Sequence, residues 1–71
     1  MFNAETTIIN RIKAKNKSLV QTLKVLEIVL EGDCVIFKRK DSTSGMFQRI
    51  KYKYDSFYQL THVDNWNEPA L

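Results

Sequence analysis

Five basic side chains recur at alternate positions in the middle of the chain, at Lys38, Lys40, Arg49, Lys51 and Lys53. Alternate residues of a β-strand point to the same side of a sheet, so this spacing can build one positively charged surface. Such a surface contacts the phosphates of nucleic acids with little regard to base sequence. Phe47 lies among these cations and could stack on a base. The pattern predicts a DNA- or RNA-binding surface made of these six residues.

The same spacing is also typical of a solvated sheet face whose lysines prevent aggregation. No signature of a sequence-specific nucleic-acid reader is present, since the chain lacks RRM motifs and the cysteine and histidine spacing of a zinc finger. Any nucleic-acid contact is therefore expected to be led by the backbone and sensitive to salt.

A second set of residues predicts a protein-binding surface instead. Tyr54, Tyr58 and Trp66 lie near acidic residues toward the C-terminal end, and large aromatic rings are enriched at protein interfaces. With an exposed sheet edge, they would suit a small inhibitor or regulator of a larger protein, or a homodimer. The composition, rich in Lys, Asn and Ile, is reminiscent of accessory proteins of phages and mobile elements.

Enzymatic chemistry is not favoured. His62 is the one histidine, and an acid/base pair with Asp64 or Glu68 is weaker as an interpretation than a surface or packing role. Cys34 has no evident activating base, although Lys53 should face it and lower its pKa. We expect a non-enzymatic protein with no catalytic residues, no metal site and no cofactor.

Two consecutive β-hairpins must position these residues. Residues 24–31 are rich in β-branched side chains and end at Gly32-Asp33, which suits a two-residue turn. Residues 34–40 would return antiparallel, and a loop at 42–45 would lead to a third strand at 46–54.

The two hairpins predict the same division of side chains. Glu27 then faces Lys38, and Lys38 faces Arg49. One sheet face becomes apolar, and a slip of one residue would mix the charges into it. The predicted apolar face consists of Leu26, Ile28, Leu30, Val35, Phe37, Ile50 and Tyr52, with Arg39 at its margin keeping its guanidinium in water.

The segments on either side of the hairpins leave alternatives open. Asn3 can cap a helix that begins at Ala4 and ends near Asn16, and its isoleucines should cover the apolar sheet face rather than a membrane surface. Residues 18–31 also fit a helix capped by Ser18 and stopped at Gly32, or a helix through Leu23 followed by a strand.

The C-terminal part is less regular. Residues 57–63 fit a fourth strand better than a one-turn helix, because aromatic and β-branched residues dominate there. Residues 64–71 are polar and predict a tail. The sequence thus predicts an α+β fold in which an N-terminal helix packs on a three- to four-stranded antiparallel sheet, with one domain at 1–63.

Composition limits the remaining possibilities. The 71 residues carry a net charge of +3, and 44% are hydrophobic, as in ordinary globular proteins. A single cysteine excludes an internal disulfide, and no apolar run approaches the roughly 18 residues of a membrane span. With no secretion signal visible at the start, we expect a cytoplasmic protein without membrane contact.

Overall fold

A computed structural model describes residues 4–69 and confirms the α+β fold. Its four strands form one antiparallel sheet in the order β1-β2-β3-β4. The elements are α1 at Ala4–Lys15, α2 at Lys17–Leu23, β1 at Glu27–Glu31, β2 at Cys34–Lys40, β3 at Phe47–Tyr54 and β4 at Leu60–Glu68. The chain therefore has two short helices followed by a meander of strands.

The helical part follows the local signals of the sequence. α1 carries Glu5 in its first turn and Lys13 and Lys15 in its last, which matches the polarity of the helix dipole. Ala4, the first described residue, is already helical, and the proposed cap Asn3 lies outside the described residues. α2 ends where Lys24 adopts a left-handed conformation with φ 52°, a common way to terminate a helix.

Residues 18–31 form a helix through Leu23 followed by a strand, which is one of the alternatives that the sequence allowed. The continuous helix capped by Ser18 and stopped at Gly32 is wrong, and so is a strand that begins at residue 24. β-branched residues favour extended backbone from Glu27 onward, and cross-strand pairing with β2 rewards it.

Both hairpins have the predicted register. Glu27 faces Lys38 and Ile28 faces Phe37, while Lys38 faces Arg49 and Phe37 faces Ile50. Gly32 occupies the first turn at φ 62°, where residues with a Cβ are strained. The register therefore follows from turn chemistry and alternation together.

The hydrophobic core lies between the helices and one sheet face. Ile12 of α1 and Val35 and Phe37 of β2 are completely buried. Half-buried side chains surround them, namely Ile8, Leu19, Val20, Leu23, Val25, Ile28, Leu30, Tyr52, Tyr54, Tyr58 and Leu60. The helices thus cover most of the predicted apolar face, but Leu26 is 62% exposed and Val25 packs against the core instead, so the prediction is wrong for Leu26.

Arg39 departs from the expected solvated position at the margin of this face. Its side chain is half-buried, and its Nε atom is buried without a hydrogen-bond partner among residues 4–69. The expectation that the guanidinium stays in water is wrong for this atom.

The C-terminal strand corrects the sequence analysis. The fourth strand exists, but it begins at Leu60 and runs to Glu68, so the assignment of residues 64–71 to a tail is wrong for 64–68. Residues 57–59 belong to the preceding loop, in which Asp55 Oδ1 accepts hydrogen bonds from the backbone N–H groups of Phe57 and Gln59. Pairing with the long strand β3 overrides the low strand propensity of Asp and Asn.

Asn16 joins the helices to this loop. Its Nδ2 group donates hydrogen bonds to the carbonyl oxygens of Ile12 and Tyr58, each at 2.9 Å. Tyr58 has φ 61°, an uncommon conformation for a residue with a side chain. One side chain therefore satisfies the end of α1 and holds a loop 42 residues away in sequence.

We expect Asn16→Ala to lower the free energy of unfolding by about 1–2 kcal/mol, because the Tyr58 carbonyl loses the side-chain donor and the Ile12 carbonyl keeps only the backbone N–H of residue 16. The exposed Asn10 of α1 offers a matched control, and its alanine variant should change stability by less than about 0.5 kcal/mol. Urea denaturation followed by circular dichroism measures both. Equal stabilities of the two variants would contradict this role for Asn16.

Candidate interaction surfaces

One side of the sheet faces away from the helices, and we call it the charged face. Within residues 4–69, no helix packs on it, since the core contacts involve the opposite side. The strand registers assign its members. They are Glu27, Val29, Glu31, Cys34, Ile36, Lys38, Lys40, Phe47, Arg49, Lys51, Lys53, Thr61, Asp64, Trp66 and Glu68.

All six residues of the predicted nucleic-acid surface lie on the charged face, but most of their charges are paired. The ion pairs are Lys38–Glu27 at 3.7 Å, Arg49–Glu68 at 2.9 Å, Lys51–Glu31 at 3.3 Å and Lys53–Asp33 at 3.5 Å. Among the described residues, Lys40 alone of the five cations has no such partner. A phosphate would have to displace carboxylates here.

The charged face has almost no net charge. Asp64 lies opposite Lys51, so the four acidic residues of the face, together with Asp33 of the adjoining turn, offset its five basic ones. Three of those acids were separated from the strands in the sequence analysis, because Asp33 was placed in a turn and Asp64 and Glu68 in a tail. Exposed ion pairs contribute little stability, but they reduce the field available to a polyanion.

Glu68 organises one end of the charged face. Its Oε1 atom accepts hydrogen bonds from Arg49 Nε and, at 3.3 Å, from Trp66 Nε1. These two donors hold the pKa of Glu68 below its ordinary value of 4.5. Nearby, the Lys38 ammonium lies 4.3 Å from the centroid of the Phe47 ring. Both aromatic rings of this face are therefore engaged within the molecule.

Because its pKa is depressed on folding, charged Glu68 should stabilise the protein above pH 4.5, and this contribution should disappear as the pH falls through the folded pKa. We expect Glu68→Gln to have a lower urea midpoint than the wild type at about pH 7, and the difference between the two midpoints to be smaller at about pH 3. An unchanged difference at both pH values would show that the charge of Glu68 is not the cause.

The thiol of Cys34 is not activated, although Lys53, which faces it, was expected to lower its pKa. Burial raises its pKa, and so does the hydrogen bond from its Sγ to Asp33 Oδ1 at 3.6 Å. Lys51 and Lys53 oppose these effects only in part. The expectation of a lowered pKa is therefore wrong, and the thiol is poorly suited to nucleophilic chemistry.

His62 lies apart from Asp64 and Glu68, the two carboxylates that were considered as its partners in an acid/base pair. Its ring lies edge-on to Tyr52 at a centroid distance of 5.7 Å, on the helix side of the sheet. Asp64 and Glu68 instead belong to the charged face. Within the described part of the chain, no cluster of three His, Cys, Asp or Glu side chains could hold a metal ion.

The three predicted partner-binding aromatics do not form one surface. Tyr54 and Tyr58 stack with their ring centroids 6.4 Å apart, and the Arg11 guanidinium lies 5.9 Å from the Tyr58 ring. This stack lies on the helix side, against the core. Trp66 is on the charged face, so the tyrosines have a packing role that the sequence did not reveal.

The excess positive charge lies with the helices. The cations there are Arg11, Lys13, Lys15, Lys17 and Lys24, all exposed. Among residues 4–69 none of them forms an ion pair, and Glu5 is the one acidic residue of α1 and α2. These five residues were not singled out from the sequence, although the absence of Asp and Glu between Arg11 and Lys24 could have shown them.

Two adjoining depressions form what we call the α1–β1 groove. One is lined by Ile9, Lys13, Val20, Val25, Leu26, Glu27 and Ile28. The other is lined by Lys13, Ala14, Lys17, Val20 and Gln21. Leu26 is 62% exposed beside it, and β1 is an edge strand of the sheet. This combination was not predicted, because it depends on the break between α2 and β1.

Comparisons with protein-family models, curated proteins and solved structures give no significant match. Neither helix of the described residues has the length and apolarity needed to cross a membrane. Functional inference therefore depends on the surfaces of this chain alone.

Proposed function

We propose that this chain is a small non-enzymatic binding protein that docks on a partner protein through the α1–β1 groove. The observation that carries the proposal is Leu26, which is 62% exposed in a depression at the free edge of β1 whose lining also includes Ile9, Val20 and Ile28. Apolar grooves next to edge strands suit partner segments, because side chains fill the groove and backbone groups can extend the sheet.

The charged face supports the same choice by its electrostatics. Four of its five cations have carboxylate partners at 2.9–3.7 Å, and Phe47 and Trp66 are held by Lys38 and Glu68. Nucleic-acid binding through this face would require breaking those contacts. A regulator or inhibitor of a larger protein needs no such rearrangement.

A photo-crosslinking amino acid in place of Leu26 tests the proposal in cells that produce the protein. We expect a discrete protein adduct from position 26, because a docked segment covers that side chain. Phe57, which is 71% exposed in the loop before β4, is the matched control position and should give none. Equal adducts from both positions, or none from position 26, would contradict docking in the groove.

A second candidate function is contact with the phosphate backbone of DNA or RNA through the helices. The specific observation in its favour is the group of four cations on the helices, with Lys24 directly after α2, that have no ion pair within residues 4–69. Unpaired cations can release counterions from a polyanion without first losing a carboxylate partner.

Two variants with equal loss of charge separate the surfaces. We expect any nucleic-acid binding at about 50 mM salt to be lost in Lys13→Gln/Lys15→Gln/Lys17→Gln and kept in Lys38→Gln/Lys51→Gln/Lys53→Gln, because the first three lysines have no ion pair among residues 4–69 and the second three are paired with carboxylates. Fluorescence anisotropy with duplex and single-stranded oligonucleotides over a salt series measures this. Loss in the second variant alone would restore the charged face as the nucleic-acid surface.

A further inference from the structure

We infer that the segment which occupies the α1–β1 groove is acidic and apolar, with hydrophobic anchor residues next to Asp or Glu. This inference rests on the proposed function and names the chemistry of the partner. It follows from the residues that line the groove, from the lysines at its rim, and from the pairing of the acidic residues of β4 within the molecule.

The lining of the groove requires apolar anchors. Ile9, Val20 and Ile28 line it and are only half-buried. Leu26 is the most exposed of its lining residues that are large and hydrophobic. Covering such surface is favourable by about 25 cal/mol per Å² of apolar area, so a docked segment gains most by presenting aliphatic or aromatic side chains.

The rim of the groove selects negative charge. Lys13 lines both depressions and Lys17 lines one of them, and neither has an ion pair among the described residues. The one acid in the lining, Glu27, is already paired with Lys38 at 3.7 Å. A basic segment would meet uncompensated lysines, whereas an acidic segment would pair with them.

A second copy of this chain does not supply the segment. The acidic stretch available for exchange is β4, but Glu68 pairs with Arg49 at 2.9 Å and Asp64 lies opposite Lys51 on the charged face. β4 also has a register irregularity beside His62, and such bulges discourage pairing between edges. The occupant is therefore a segment of a different protein.

The test uses a short fluorescein-labelled peptide in which Leu and Glu alternate, with Leu/Lys and Ser/Glu peptides of equal length as comparisons. Fluorescence anisotropy should show binding of the Leu/Glu peptide and weak or no binding of the other two. Lys13→Glu/Lys17→Glu should weaken it by about tenfold, as expected when two attractive charge contacts become repulsive. The same variant should gain affinity for the Leu/Lys peptide.

Lys15→Glu/Lys40→Glu is the matched control, because it changes the net charge equally at exposed lysines outside the groove. It should leave the preference for the Leu/Glu peptide unchanged. Equal effects of both variants, or an oligonucleotide that binds the groove in place of the peptide, would overturn the inference. If position 26 gives a crosslink but the peptide preference does not change in Lys13→Glu/Lys17→Glu, the acidic character of the partner is contradicted and the proposed function stands. If position 26 gives no crosslink, the proposed function is contradicted as well.

Discussion

The antiparallel ladder between β1, β2 and β3 is the constraint on which the rest of the molecule depends. It sends Val35 and Phe37 toward Ile12 of α1, and it sends their neighbours Ile36 and Lys38 to the opposite face. Since side chains alternate strictly, a slip of one residue would exchange core and solvent. Burial of these residues and the turn at Gly32 therefore fix every other position on the sheet.

The same alternation explains why basic strands do not make a basic surface. Cations on β2 and β3 share a face with carboxylates on β1, on the first turn and on β4, and the ion pairs bring these groups within 4 Å. Ile36 remains only 6% exposed on this open face, where Val29 and Lys51 lie opposite it on the neighbouring strands. The face is thus neutral and shielded without a helix to cover it.

The break in the helical region decides where an interaction surface opens. α1 ends at Asn16, whose side chain also holds the loop at Tyr58. The left-handed Lys24 then turns the chain from α2 into β1. Val25 and Leu26 fall between helix and strand, where neither element buries them fully, and Lys13 lines the same depression. The groove forms where helix and strand meet at this junction, and neither element forms it alone.

The sequence by itself determined the parts of the fold that depend on short-range periodicity. Gly32-Asp33, the alternation from Ile28 to Tyr52 and the isoleucines of α1 were sufficient to predict the hairpin registers and the helix-covered face. Only the tertiary structure decided the extent of β4 and the pairing of Asp64 and Glu68 with the sheet. A polar segment such as 64–68 has no periodic signal of its own, and it becomes a strand because β3 offers it an unpaired edge. The groove likewise escaped prediction, because helix, turn and edge strand meet there only after the core around Phe37 has formed.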